Sequence, residues 1–248
     1  MTEFDWTPLR AALAACRDAG VDVPLWWRDD DAVAMTPALS QLSQVSKRCG
    51  VPVHLAIIPA HVDEALPEAL DPAQFVPVVH GWAHTDYSKP GEKKNEFQTL
   101  RCGSLAETQQ ALDKMARLFG ARLRPMFVPP WNRINDEVAH GLVAQGYRIL
   151  STYGPRAGAR LADLDMVNTH VDPIWWKGTR DLVAPEQLIA DAAAHLTDRA
   201  SGLADAHEPF GLLTHHLVHT PAIWSFSEAF LTEMQAGGAR PWTMETDK

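Results

Sequence analysis

Short apolar runs alternate with amphipathic segments along nearly the whole chain, and that alternation limits the fold more than any single motif does. The runs cover residues 23–28, 52–58, 75–79, 125–128, 147–151, 166–170 and 210–214, and each has the length of a strand rather than a helix. The segments between them carry helix signals. Thr7-Pro8 and Thr36-Pro37 each put a capping hydroxyl before a proline suited to the first helical position, and Gly20 and Gly50 stop those two helices. Ser104-Leu105-Ala106-Glu107 reads as a capping box, Asn135 caps a helix closed by Gly146, and Pro185 and Pro221 open two more. Strands that alternate with helices pair in parallel beneath them, so the fold class is α/β, and seven or eight such units suggest closure into a barrel. The other arrangement is an open doubly wound sheet, but no glycine-rich phosphate loop follows the first strand. There is no low-complexity linker and no internal repeat, so residues 1–248 are expected to form one domain.

The residues able to do chemistry are concentrated just after these runs. Asp29-Asp30-Asp31 follow the first, His80 and His84 the third, Pro129-Pro130-Trp131-Asn132 the fourth, and His215-His216 the last. In a parallel barrel those ends share one rim, which is where active sites are built. His80-Gly81-Trp82-Ala83-His84 sets two imidazoles four residues apart, and both can grip one metal ion if the backbone turns between them. Taken alone, the motif also fits a strand-capping histidine and a loop histidine; it is the four placements on one rim that predict a shared site. Segment 85–103, with Lys89, Lys93 and Lys94, has no apolar period and reads as a long loop, either a solvated surface or a lid meeting an anionic substrate. Asp172, His219, Trp175 and Trp176 are candidates either for pocket lining or for packing.

A net charge of -9 argues against general nucleic-acid binding, which needs a basic face. No apolar run is long enough to span a bilayer, and no basic segment followed by an apolar one marks export, so no membrane partner and a cytoplasmic location are expected. Cys16, Cys49 and Cys102 are odd in number and form no CxxC pair, which points away from a disulfide framework or a cysteine zinc site. The oligomeric state stays open.

In their order these motifs resemble the polysaccharide deacetylase superfamily, the family 4 carbohydrate esterases. The resemblance rests on the aspartate pair after strand one, HxxxH after strand three, Phe127-Val128-Pro129-Pro130-Trp131 after strand four and Leu213-Thr214-His215 after a late strand. It covers about residues 25–216. It implies a distorted (β/α) barrel with seven or eight parallel strands and a divalent metal, zinc first among the candidates, held by Asp31, His80 and His84. It further implies Asp30 as general base, His215 as general acid, and a backbone N–H near Trp131, set by the turn at Pro130, as oxyanion donor. The activity implied is removal of an acyl group, acetyl above all, from an amide-linked substrate such as an N-acetylated sugar, with a saccharide or other small molecule as partner.

The run of three aspartates leaves the register open between Asp30/Asp31 and Asp29/Asp30, and the pair of histidines leaves His216 as the alternate acid. The family's arginine in the proline turn is Val128 here, with Arg28 as a possible brace for the aspartates, and Trp131-Asn132 stand where tyrosine and glycine are usual. These departures keep an alternative alive: a barrel with weak or no turnover that serves as a binding or regulatory module. A phosphate-ester hydrolase is a third option, but the ligands support only one metal position.

Overall fold

The alternation folds as a mostly parallel sheet wrapped by helices, and the computed structural model describes residues 4–244 of it. In chain order the elements are α1 (Thr7–Asp18), β1 (Pro24–Ala32), α2 (Pro37–Cys49), β2 (Val53–Ile57), α3 (Leu66–Ala69) and β3 (Phe75–His80). After a long loop come α4 (Ser104–Phe119), β4 (Met126–Val128), α5 (Asp136–Gln145), β5 (Ile149–Leu150), β6 (Arg160–Leu161) and β7 (Leu164–Met166). The chain continues through α6 (Pro185–Ala200), β8 (Phe210–Thr214), α7 (Pro221–Ala236) and β9 (Arg240–Pro241).

The strands are ordered β6-β7-β5-β4-β3-β2-β1-β8, with β9 against β1, and every pairing is parallel except β6 with β7. The sheet curls into a distorted barrel. Its seam is spanned by residues 167–171, which pair singly, Tyr153 with Thr169 and Val171 with Leu212. β2 and β8 are buried along their whole length, which is why they read as unbroken apolar runs.

Side chains alternate across the sheet. Trp26, Ala56, Val78, Met126, Val128, Ile149 and Val167 fill the barrel interior, with Trp242 and Met244 packed against them. The opposite faces, Leu25, Trp27, Val53, Leu55 and Phe127 among them, lie under the helices.

Several local expectations change. Thr36 and Asn135 cap their helices through amide contacts, to Leu39 at 3.0 Å and Glu137 at 2.8 Å. Thr7 is not a cap: Trp6 holds that position, and Asp5 accepts the Thr7 amide at 3.0 Å. Ser104 lies inside α4 behind the N-cap Gly103, and the Glu107 carboxylate is drawn to Arg101, 2.5 Å from its Nη2, so no capping box forms. The strand expected at 166–170 is regular only as β7. Beyond it the pairing is broken into single bridges, and the Asn168 side chain takes the Thr152 amide and gives a hydrogen bond to the Gly154 carbonyl, each at 2.8 Å, beside them. The antiparallel β6 and the short α3 carry no periodic signal and were not expected.

Candidate active site

Strand β1 carries all three aspartates, and simple alternation would send Asp29 and Asp31 to one face and Asp30 to the other. The register of β1 against β2 shifts between Asp29 and Ala32, and Asp31 takes a left-handed φ of 74°. This bulge turns Asp31 toward the cavity together with Asp30, while Asp29 stays on the opposite face. There Asp29 accepts from Thr214 Oγ at 2.6 Å, the His216 amide at 3.0 Å and His216 Nδ1 at 2.5 Å. Burial works against the Asp29 charge, but the facing His216 holds its pKa below the ordinary carboxylate value and raises that of His216 in return.

Asp31, His80 and His84 converge, their ligating atoms all within 4.8 Å of one another. Asp31 Oδ1 lies 3.1 Å from His80 Nε2 and 3.3 Å from His84 Nε2. The donor set suits a divalent ion: His80 Nδ1 donates to the Val128 carbonyl at 3.0 Å, which fixes the tautomer that leaves Nε2 bare toward Asp31. Burial opposes the charge on Asp31, yet the facing His80 and the other nearby imidazoles keep its pKa far below the usual range.

The turn between the two histidines is held by a residue not expected from the sequence. Glu96, fully buried, accepts from the amides of Trp82 at 3.1 Å, Ala83 at 2.8 Å and Thr85 at 3.4 Å. The signal available was Phe97 beside it, an apolar residue inside a polar segment that anchors the loop by pairing with Ile134. Gly81 is required here: its φ is 58°, and a Cβ would stand 2.3 Å from Glu96 Oε2 and 2.5 Å from the Pro130 ring.

Arg28 is the brace. Its Nε approaches Asp30 Oδ1 at 2.9 Å, and Nη2 donates to Asp30 Oδ2 at 3.1 Å and to Asn132 Oδ1 at 2.6 Å. Nη1 donates to Ser151 Oγ at 2.8 Å, so this wholly buried guanidinium ties β1 to the proline turn and to the end of β5. Trp131 and Asn132 both have left-handed backbones, φ 56° and 58°, a conformation that asparagine tolerates and tryptophan rarely adopts.

Across the cavity His215 Nε2 lies 4.0 Å from Asp30 Oδ2, and the edge of Trp176 meets its ring at 4.7 Å between centroids. Trp176 donates its indole N–H to Asp172 at 2.7 Å. Burial raises the Asp172 pKa, with His215 pulling the other way. His216 points to Asp29 and does not line the cavity; His219 sits behind, its Nε2 accepting the His215 amide at 3.3 Å. Trp131, Asn132, Asp172 and Trp176 line this cavity of about 850 Å³, with Asp30, Asp31, His80, His84 and His215. Of the three loop lysines only Lys94 does.

No family model matches the chain, and no curated protein matches its sequence. Solved structures do. A family 4 carbohydrate esterase from Streptomyces lividans, in complex with acetate, aligns with a TM-score of 0.55 at 11% identity, over 91% of this chain and 95% of its own. The fold is that of the family 4 carbohydrate esterases. A peptidoglycan N-acetylglucosamine deacetylase bound to an N-oxidanyl-benzamide aligns at 0.56 with 14% identity, over 90% of this chain and 86% of its own. A family 4 pseudoenzyme from Bacillus anthracis aligns at 0.54 with 15% identity, over 89% and 63%. At such identities it is the fold that is shared. Among the described residues no helix is long and apolar enough to cross a membrane.

Proposed function

We propose that this chain is a single-domain member of the polysaccharide deacetylase superfamily, a metal-dependent hydrolase that removes an acyl group, acetyl first, from an amide-linked substrate such as an N-acetylated sugar. One observation carries the reading: Asp31, His80 and His84 converge beside an Arg28-braced Asp30, with His215 across the same cavity.

Asp31, His80 and His84 would hold the ion. A divalent metal such as zinc, bound there, acidifies water and polarises an acyl oxygen. Asp30 then takes the proton of the attacking water, kept in place by Arg28. The backbone N–H of Trp131, aimed by the turn that begins at Pro130, donates to the oxyanion as the carbonyl becomes tetrahedral. His215 gives its proton to the departing amine, since imidazole both holds and releases a proton near neutral pH. The Trp176 ring packs against the imidazole and is itself held by its indole N–H on Asp172, which fixes the ring in place.

A second reading, a barrel without turnover, draws on Val128 in place of the family arginine and on the pseudoenzyme among the structural neighbours. The position of Arg28 favours the enzyme, because a cation reaches Asp30 from within β1 rather than from the proline turn.

The test measures acetate release from N-acetylated sugars and amines together with metal content. Asp30→Asn should abolish release while retaining metal, and His80→Ala should lose the metal. No release from any substrate by metal-loaded protein, or equal metal in wild type and His80→Ala, would overturn the reading.

A further inference from the structure

The charges around the cavity are unevenly engaged. Each of its acids already has partners: Asp30 has Arg28, and Asp31 has His80 and His84. Asp86 accepts the amides of Ser88 at 3.0 Å and Asn95 at 3.2 Å, and Asp172 accepts the amide of Ile174 at 3.0 Å and the indole of Trp176. The three cations of the lining, Lys94, Arg133 and Arg180, are different. Among the described residues none of them has a carboxylate within 4.0 Å, in a chain whose net charge is -9.

Arg133 is held by its side chain and Arg180 by its backbone. Arg133 Nη1 donates to the Lys94 carbonyl at 2.7 Å, which steadies the guanidinium while leaving Nε and Nη2 without an acceptor among the described residues. Arg180 stands on a hairpin closed by the Ile174–Leu182 pair, and its guanidinium carbon is 5.9 Å from the Trp176 ring centre. That hairpin is fastened to the start of α7, because Asp181 accepts from Thr220 Oγ at 2.6 Å. Arg180 itself has φ 59°, a strained backbone for a side chain of this size. Cations without carboxylate partners in a walled cleft concentrate anions there and offer charge-assisted hydrogen bonds to a carboxylate or phosphate.

We infer that the cavity selects substrates bearing an anionic oxyacid group, a carboxylate or a phosphate, recognised by Arg133 and Arg180. The inference rests on the deacetylase reading only in making the ligand a substrate; in that case the substrate is an N-acylated sugar or amine that also carries such a group. Lys94 adds to the field, with Asp86 beside it.

The experiment titrates metal-loaded protein with glucose, glucuronate and glucose 6-phosphate, followed by tryptophan fluorescence, since Trp131 and Trp176 line the cavity. At least one of the acids should bind about tenfold more tightly than glucose, and the tighter one identifies the group. Arg133→Gln and Arg180→Gln, singly or together, should remove that advantage and leave glucose binding unchanged, and raising the salt concentration should weaken only the acids. Equal affinity for all three sugars, no saturable binding of either acid, or an advantage that survives in the double variant overturns the inference. None of these ligands contains an amide, so an absence of acetate release would sink the deacetylase reading and leave this result standing. The reverse outcome, release without an anion preference, would sink this inference alone.

Discussion

Arg28 and Asp30 meet two residues apart on one strand, Nε to Oδ1 at 2.9 Å and Nη2 to Oδ2 at 3.1 Å, both side chains almost without solvent. In the proposed site the contact would take the place of the family arginine, where the proline turn here has Val128. Arg28→Lys keeps the charge but loses the planar fork, and it should lower kcat by about 10- to 100-fold with metal content unchanged, a range set by the sensitivity of proton transfer to geometry. Arg28→Ala leaves a buried carboxylate unpaired and should cost about 3–5 kcal/mol of stability, read by denaturant unfolding.

Asp29 and Asp31 face different sides of β1 although they are two positions apart. Asp31→Asn should lose metal in elemental analysis, whereas Asp29→Asn should retain it while unfolding at lower denaturant, by about 3–5 kcal/mol, because the His216 charge loses its buried partner. Metal loss from Asp29→Asn at an intact fold would reverse the register.

Glu96 holds the turn that presents His84, so its effect should be felt at a metal it does not touch. Glu96→Gln should weaken metal affinity by about 10- to 100-fold, as loss of an outer-shell partner does, measured by chelator competition.

Gly81 stands between the two histidines with no room for a methyl group. Gly81→Ala meets both Glu96 and Pro130 and keeps an unfavourable φ, so it should cost at least about 1–3 kcal/mol and lower the metal occupancy of the purified protein. Wild-type stability and occupancy in this variant would show that the turn is slack.

Two histidines outside the cavity make the fold acid-sensitive. Burial pushes His54 down to about 4, and burial with the nearby Arg199 does the same to His195. A folded pKa below the unfolded value of about 6.5 means that the unfolded chain binds protons first, so the contribution is full above about 6.5 and is lost as pH falls toward 4. Tm should therefore drop between pH 7 and pH 4.5, and His54→Gln should show a shallower drop. An identical slope in that variant would remove His54 from the account.

Much of the site was legible because strand ends in a parallel barrel share a rim, so Asp30, Asp31, His80, His84, Trp131 and His215 could be brought to one face before any coordinates were known. Thr36 and Asn135 could be read as caps because their hydroxyl and amide act within a single turn of chain. The aspartate register could not be read, since alternation alone cannot foresee the bulge that turns Asp31 onto the face of Asp30. Nor could Glu96, which closes three amides from inside a polar loop, or the seam at residues 167–171, where single bridges are joined by the Asn168 side chain. Local sequence determined the alternation, the helix ends and the rim on which the chemistry gathers, because those depend on periodicity and on groups a few residues apart. Which carboxylate faces the cavity, what else holds the Arg28 guanidinium and what holds the histidine turn were decided only by tertiary structure, because each depends on groups brought together across strands and loops.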